Sequence, residues 1–189
     1  MAINFLDTAD EVAPQLLGCL FTHAGVTIRI TEVEAYLGAD DAAAHTHKGK
    51  TPRNAAMFGP GGHKYVYISY GIHRAGNIVC APEGTGQGVL LRAGEVVDGI
   101  DIAAKRRPGI LHHRLAQGPG NLGKTLDLNI DDNHAPINGQ DFTLVEPSTH
   151  PEWVRGSRIG ISKNADAPLR FWIPNDPIVS GKKGRPRIS

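Results

Sequence analysis

The chain has 189 residues, of which 40% are hydrophobic, and a formal net charge of +1. This length predicts one domain with a full core, and the two cysteines, Cys19 and Cys80, are too few for a disulfide framework and are expected to be free, buried thiols. Neither a signal peptide nor the roughly 20 consecutive apolar residues of a transmembrane helix are present, so we expect a cytoplasmic protein without a membrane partner.

The first predicted element is a short helix. Thr8 and Glu11 have the spacing of a capping box, and one apolar stripe follows them. Its members are Val12, Leu16, Leu17 and Leu20. Pro14 should lie in the first turn or kink the helix, so the helix is expected to begin a residue or two later than the cap suggests.

The next predicted element, a strand over residues 26–36, carries an acid where an apolar side chain is expected. Unless a bulge changes the register, alternation places the even-numbered positions on one face. They are Val26, Ile28, Ile30, Glu32, Glu34 and Tyr36. A carboxylate at the end of a core face beside an aromatic ring is partly desolvated, which raises its pKa and suits Glu34 to general-base catalysis. The alternative is a structural Glu34, paired with a core arginine or capping a backbone group.

The remaining elements predict a mostly antiparallel sheet. A polar, glycine-rich loop over residues 38–62 has a length typical of functional segments. Further strands are expected over residues 65–70, 78–81, 89–93, 142–145, 158–161 and 169–173, and helical segments over 100–107, 111–116 and 122–128. We expect an α+β fold: a single domain over residues 1–181, whose curved sheet is flanked by a few helices, and a basic, flexible tail over residues 182–189.

Charge is unevenly distributed, because residues 42–82 contain no Asp or Glu. The same stretch holds three tyrosines, four histidines and five cations, which are Lys48, Lys50, Arg53, Lys64 and Arg74. Basic groups interleaved with aromatic rings are typical of a surface that binds phosphates and stacks on bases. The alternative is a glycine-rich loop that happens to lack acids.

Two other motifs suggest different chemistry. Residues 118–125 match G-x-x-x-x-G-K-[ST], the pattern of a phosphate-binding loop, but no buried strand precedes them. We interpret the segment as a turn that opens a helix and whose amides could bind a DNA phosphate. The histidines at 45, 47, 63, 112 and 113 raise the possibility of a metal site, yet the cysteines or His-Glu-x-x-His helix typical of zinc are missing.

Five motifs, in order along almost the whole chain, resemble those of the alkylpurine DNA glycosylase family. They are Glu-Val-Glu-Ala-Tyr-Leu-Gly at 32–38, Thr-Pro-Arg-Asn with Met57 and Phe58, Tyr-Val-Tyr-Ile-Ser-Tyr-Gly at 65–71, Val-Leu-Leu-Arg-Ala at 89–93 and Gly-Pro-Gly-Asn-Leu at 118–122. The resemblance implies a monomeric, monofunctional enzyme that flips a damaged purine out of double-stranded DNA and hydrolyses its N-glycosidic bond. No metal or cofactor is implied.

The resemblance also implies roles for individual residues in catalysis and specificity. Glu34 would deprotonate the attacking water, with Arg92 and the backbone near Ile161 helping to hold that residue in place. Asn77 would crowd the exocyclic amino group of guanine, and Tyr70 would wedge into the gap left by the extruded nucleotide.

Stacking and backbone contacts complete the implied site. Tyr36 would stack on one face of the flipped base, and His45 and Tyr67 would lie against the other. An N3- or N7-alkylated purine is cationic, so it is attracted to aromatic faces and departs as a neutral base without an acid. Candidate DNA-backbone contacts are Lys48, Lys50, Arg53, Lys64, Arg74, Gly120 and Asn121.

The chain departs from the family at several positions. Arg74 and Gly76 stand where relatives carry bulkier aromatic or apolar residues, which would affect the pocket wall, and Asn121 stands where a lysine is common. The basic tail resembles a hook for A·T-rich minor grooves, with a solvated tail as the alternative. Two other functions are carried forward: a non-catalytic nucleic-acid-binding module, and a nucleotide-binding protein that uses residues 118–125.

Overall fold

An antiparallel β-sheet organises the fold in the computed structural model, which describes residues 2–181. Within these residues the sheet has eight strands and is curled. The strands are β1 (Leu20–His23), β2 (Val26–Tyr36), β3 (Lys64–Ser69), β4 (His73–Cys80), β5 (Gln87–Asp98), β6 (Phe142–Val145), β7 (Val154–Gly156) and β8 (Arg170–Trp172). Their order is β3-β4-β5-β2-β1-β6, and β8 pairs with β2 and with β7.

In the described part of the chain, three short α-helices flank the sheet, and they complete the single α+β domain predicted from the sequence. They are α1 (Ala9–Gln15), α2 (Ile100–Arg106) and α3 (Pro119–Thr125). The main core is one cluster of apolar side chains, which includes residues of α1 and of strands β1, β2 and β5. Both cysteines are free and buried, as predicted. Within residues 2–181, no helix is long and apolar enough to cross a membrane.

The start of α1 confirms the capping box and the short helix, but the expectations for Pro14 and Leu20 were wrong. Glu11 accepts hydrogen bonds from the backbone N–H and the hydroxyl of Thr8, at 3.1 and 2.7 Å. Pro14 lies in the last turn and not the first, so the start of the helix is not displaced. The helix ends at Gln15 because Gly18, with φ 84°, reverses the chain, and Leu20 therefore begins β1.

A bulge in β2 decides which way its acids face. The pairing of β2 with β5 shifts register on both sides of Glu32. Val33 and Ala35 therefore join Val26, Ile28 and Ile30 in the core, and the acids leave that face. Since neighbouring side chains of a strand point to opposite sides, Glu34 is directed away from the core. The expectation that Glu34 ends the core face is thus corrected.

Most other elements follow the prediction, with two exceptions. Residues 158–161 form a loop and not a strand, and the expected closing strand lies earlier, in β7. Residues 111–116 contain only a 3-10 turn, His112–Arg114. The predicted 65–70, 78–81, 89–93, 142–145 and 169–173 strands correspond to β3, β4, β5, β6 and β8. The tail predicted over residues 182–189 lies outside the described residues.

Candidate active site

A cavity of about 400 Å³ opens on the face of the sheet to which Glu34 is directed. It is enclosed by β2, β3, β4 and β5, by the loop over residues 38–62, by the loop over 159–161 and by the start of α3. All four tyrosines of the chain line it. The other lining residues are Ala43, His45, Met57, Ser69, Asn77, Leu90, Arg92, Pro119, Ile159, Gly160 and Ile161.

Glu34 lies immediately behind this lining and is fully buried. Its Oε1 accepts a hydrogen bond from the backbone N–H of Ile159 at 2.8 Å and lies 3.4 Å from Nη1 of Arg92. Its Oε2 accepts one from the hydroxyl of Tyr36 at 2.9 Å. All three partners line the cavity. Oε2 retains acceptor capacity beyond the Tyr36 bond, because a carboxylate oxygen offers two lone pairs.

The surroundings of Glu34 exert opposing effects on its protonation. Burial raises the pKa of Glu34 above its usual value, and the neighbouring Glu32 carboxylate adds to the rise. Arg92, the Ile159 N–H and the Tyr36 hydroxyl each lower it. A carboxylate that is desolvated and yet retains donors for its charged form is suited to accept a proton from water.

Arg92 is held from several sides. Its Nε lies 3.2 Å from Oε1 of Glu32, and its Nη2 lies 3.4 Å from Oγ of Ser180. Although burial disfavours its charge, the carboxylates of Glu34 and Glu32 prevail and keep the pKa of Arg92 above its ordinary value. Arg92 is therefore a permanent cation at the base of the cavity.

Aromatic rings form the cavity wall on β3. Tyr65 and Tyr67 stack with their ring centroids 5.7 Å apart and an angle of 26° between planes. The ring of His45, from the long loop, stands edge-on to Tyr67 at 4.5 Å and hydrogen-bonds Oη of Tyr65 through Nδ1 at 3.2 Å. Burial, assisted by Arg53, lowers the pKa of His45 below its usual value. His45 is thus an uncharged ring at neutral pH.

Tyr36 is fixed from outside the cavity. The guanidinium of Arg158 lies 4.6 Å from the centroid of its ring, and Asp41 holds Arg158 through two hydrogen bonds, at 2.5 and 2.8 Å. Burial opposes ionisation of Asp41, but the bonds from Arg158 and Asn164 outweigh it and hold the pKa of Asp41 at about 2. Burial and the Glu34 carboxylate raise the pKa of Tyr36, so its hydroxyl stays protonated.

The structure brings the remaining predicted pocket residues to the same cavity. Asn77 donates to the backbone O of Tyr65 at 3.1 Å, which fixes its amide at the wall. Ile161 lines the cavity, and the backbone N–H that donates to Glu34 belongs to Ile159, two residues earlier. Tyr70, at the β3–β4 turn, is 85% exposed and has a left-handed φ of 50°.

A basic face adjoins the cavity, with one correction to its predicted members. Lys48, Lys50, Arg53 and Arg74 are exposed, and Nη2 of Arg53 donates to the backbone O of Ile68 at 3.1 Å. Lys64 cannot contact DNA, because it is fully buried on the opposite side of β3, with its Nζ 4.9 Å from the centroid of the Phe21 ring.

Close packing explains the glycines of α3 and β4. A side chain at Gly123 would place its Cβ 1.8 Å from the backbone O of Arg74, so α3 lies directly on β4. A Cβ on Gly120 would meet the His73 ring, and one on Gly76 would meet Leu128. Gly76 therefore leaves room for a core leucine and does not enlarge the cavity.

The same helix argues against a nucleotide-binding loop over residues 118–125. Residues 119–125 are themselves helical, and the buried hydroxyl of Thr125 donates to the backbone O of Leu115 at 2.6 Å. That hydroxyl is not available to bind Mg²⁺. The side chain of Asn121 accepts a hydrogen bond from Arg107 and donates one to the backbone O of Gln117, so it is held against the protein. No cluster of three or more metal-binding side chains occurs within residues 2–181.

Several site residues were missed by sequence reasoning. Tyr65 and Ile159 line the cavity, and Glu32, Arg158 and Ser180 support it. Tyr65 could have been found, because it shares the face of β3 with Tyr67. Glu32 lies two positions before Glu34, but its contact with Arg92, like the contacts of Ile159, Arg158 and Ser180, arises only from tertiary packing.

A buried carboxylate at an aromatic cavity, beside a basic face, is the arrangement of an enzyme that acts on nucleic acid. Comparison with known proteins narrows this class. The family model described as methylpurine-DNA glycosylase (MPG) matches residues 4–177. The chain belongs to the methylpurine-DNA glycosylase family.

Bacterial relatives are similar over almost their full length. A protein of Corynebacterium efficiens is 74% identical over 187 residues, 99% of this chain and 98% of the relative. A protein of Corynebacterium glutamicum is 71% identical over 188 residues, which cover 99% of this chain and 100% of the relative. A protein of Cutibacterium acnes is 49% identical over 189 residues, which cover 96% of this chain and 99% of the relative. Each is named "Putative 3-methyladenine DNA glycosylase".

Proposed function

We propose that the protein is a monofunctional DNA glycosylase that removes alkylated purines, such as 3-methyladenine and 7-methylguanine, and leaves an abasic site. Hypoxanthine and ethenoadenine are candidate further substrates. The proposal rests on one observation above all: the carboxylate of Glu34 is held by three residues that line an aromatic cavity. The volume of about 400 Å³ lies in the range of pockets for small molecules and accommodates a single base.

In the proposed reaction, the damaged nucleotide leaves the helix and its base enters between Tyr36 on one side and His45 with Tyr67 on the other. Glu34 accepts a proton from a water molecule as the water oxygen forms a bond to C1′ of the sugar. The electron pair of the C1′–N bond goes to the base, which departs neutral if it was alkylated and cationic. Arg92 stabilises the ionised form of Glu34 before the proton is transferred.

The surroundings of the cavity suit double-stranded DNA. In this proposal the exposed Tyr70 fills the gap in the helix, and Asn77, which lines the cavity, crowds the amino group of a normal guanine. Lys48, Lys50, Arg53 and Arg74 are exposed and would supply positive charge for the phosphates. We propose that the enzyme acts as a monomer in the cytoplasm.

The test is release of free base from duplexes that contain 3-methyladenine or 7-methylguanine. The wild-type protein should release the base, whereas Glu34→Gln should bind the lesion duplex without releasing it. Glu95→Gln is the matched control, because Glu95, on β5, pairs with Arg29 of β2 and does not line the cavity. Binding without release by the wild-type protein would favour the non-catalytic module, and near-normal release by Glu34→Gln would remove Glu34 from its role.

A further inference from the structure

The three nitrogens of the Arg92 guanidinium each face a different side chain. Nε faces Glu32 at 3.2 Å, Nη2 faces Ser180 at 3.4 Å, and Nη1 faces Glu34 at 3.4 Å. Two of the three guanidinium nitrogens are therefore held by groups other than Glu34. Because a guanidinium is planar and rigid, fixing two of its nitrogens fixes the direction of the third.

Glu32 is itself held more firmly than Arg92. It is fully buried and does not line the cavity. Its Oε1 also accepts from Nε of Arg170 at 2.6 Å, and its Oε2 accepts from the backbone N–H of Ser180 at 2.6 Å. Arg170 in turn donates to the backbone O of Ser180 at 2.8 Å and lies 4.5 Å from the centroid of the Trp172 ring.

Stability alone does not explain this arrangement. Replacing a buried ion pair or triad by well-packed apolar residues is often neutral or stabilising, so two carboxylates and two guanidiniums are a costly way to fill a core. The bulge of β2 lies at Glu32, and bulges near active sites redirect side chains. Here the bulge brings Glu32 and Glu34 to the same guanidinium.

We propose that Glu32, fixed by Arg170 and Ser180, is a positioning residue that orients Arg92 toward Glu34. The segment that contains Ser180 thereby belongs to the supporting structure of the site, although it is distant from Glu34 in sequence. This inference rests on the proposed glycosylase activity.

The decisive comparison is between Glu32→Gln and the double variant Glu32→Gln/Arg170→Met. The first removes the carboxylate charge that holds Arg92 and leaves the Arg170 charge buried without a counter-ion, whereas the second also removes the Arg170 charge. The measurements are the single-turnover rate of base release and the dissociation constant for a lesion duplex. We expect both variants to lose at least about tenfold in rate with the dissociation constant within about twofold, since misplacing a catalytic group by about 1 Å can cost 10²-fold.

The outcomes separate positioning from folding. A double variant that regains the wild-type rate would show that Glu32 only balances charge, and would overturn the inference. A rate loss matched by an equal loss of duplex binding would overturn it as well. If wild-type protein releases no base, the proposed function fails first and independently.

A milder substitution keeps the test decisive if the Glu32 variants do not fold. Ser180→Ala removes only the hydroxyl that faces Arg92, and it should lower the single-turnover rate several-fold without changing duplex affinity. Thr125→Val is the matched control, because it removes a buried hydroxyl bond to Leu115 outside the cavity and should leave the rate unchanged. Equal rates for Ser180→Ala and the control would overturn the inference.

Discussion

The hydroxyl of Tyr36 donates a hydrogen bond of 2.9 Å to the carboxylate of Glu34, which lies two positions earlier on the same strand. One ring therefore serves two purposes: its face lines the cavity and its hydroxyl stabilises the ionised carboxylate behind the wall. The base that would stack on Tyr36 and the group that would activate water are thereby held in one fixed relation.

The Tyr36–Glu34 bond predicts a pH effect. The bond lowers the pKa of Glu34, so Tyr36→Phe should raise that pKa further. A general base must be ionised, and its activity is lost as the pH falls through its pKa. The acid limb of the single-turnover pH–rate profile should therefore move to higher pH, and the variant should lose more activity at pH 6 than at pH 8. A profile that keeps the wild-type limb would mean that another group controls it.

Tyr70 is predicted to contribute to lesion binding and not to folding. Because its side chain is 85% exposed, Tyr70→Ala should leave the melting temperature unchanged. Loss of stacking in the gap should weaken binding to a lesion duplex by about 1–3 kcal/mol, measured by fluorescence anisotropy. Leu6→Ala, at another exposed apolar residue, is the control. Equal affinities of Tyr70→Ala and wild type would assign the wedge to another residue.

Lys64 predicts a stability that depends on pH. Complete burial lowers the pKa of Lys64 to about 7, with Asp132 opposing the shift. Between pH 7 and the pKa of an unfolded lysine, the unfolded chain binds more protons than the folded chain. The free energy of unfolding therefore increases as the pH rises through this range. Lys64→Met should lack this gain and be more stable than wild type at pH 7.

Urea unfolding at pH 7.5 and 9.5 checks the Lys64 prediction. The advantage of Lys64→Met over wild type should shrink by roughly 2 kcal/mol between these values, since one proton is worth about 1.4 kcal/mol per pH unit. Lys105→Met, at an exposed residue of α2, should show no such change. An advantage that stays constant with pH would contradict a neutral buried amine.

The position of Lys64 also predicts a monofunctional enzyme. A lyase needs an amine of lowered pKa at the reacting sugar. Lys64 has such an amine, but its Nζ lies against Phe21 and Phe142, and no lysine lines the cavity in the described part of the chain. Borohydride should therefore trap no covalent adduct with lesion DNA, while a known glycosylase-lyase on its own substrate should give one. A trapped species would overturn the monofunctional assignment.

Much of the architecture could be predicted, because strand periodicity and turn residues are local signals. Glu34, Tyr36, Tyr67 and Tyr70, together with the family resemblance, were enough to suggest which elements form the cavity. The bulge at Glu32 could not be predicted, since it depends on pairing with β5 and no residue in β2 marks it. The burial of Lys64 was missed for a similar reason, because its neighbours Phe21 and Phe142 come from distant strands.

The proposed wedge and the proposed stacking ring share one hairpin. Tyr67 lies on β3, and Tyr70 follows the end of that strand in the left-handed backbone of the β3–β4 turn. The hairpin would therefore set the distance that a nucleotide moves from the helix axis to its binding place. Inserting one residue between the two tyrosines would change this spacing and the direction of one ring relative to the other, even if every side chain were kept.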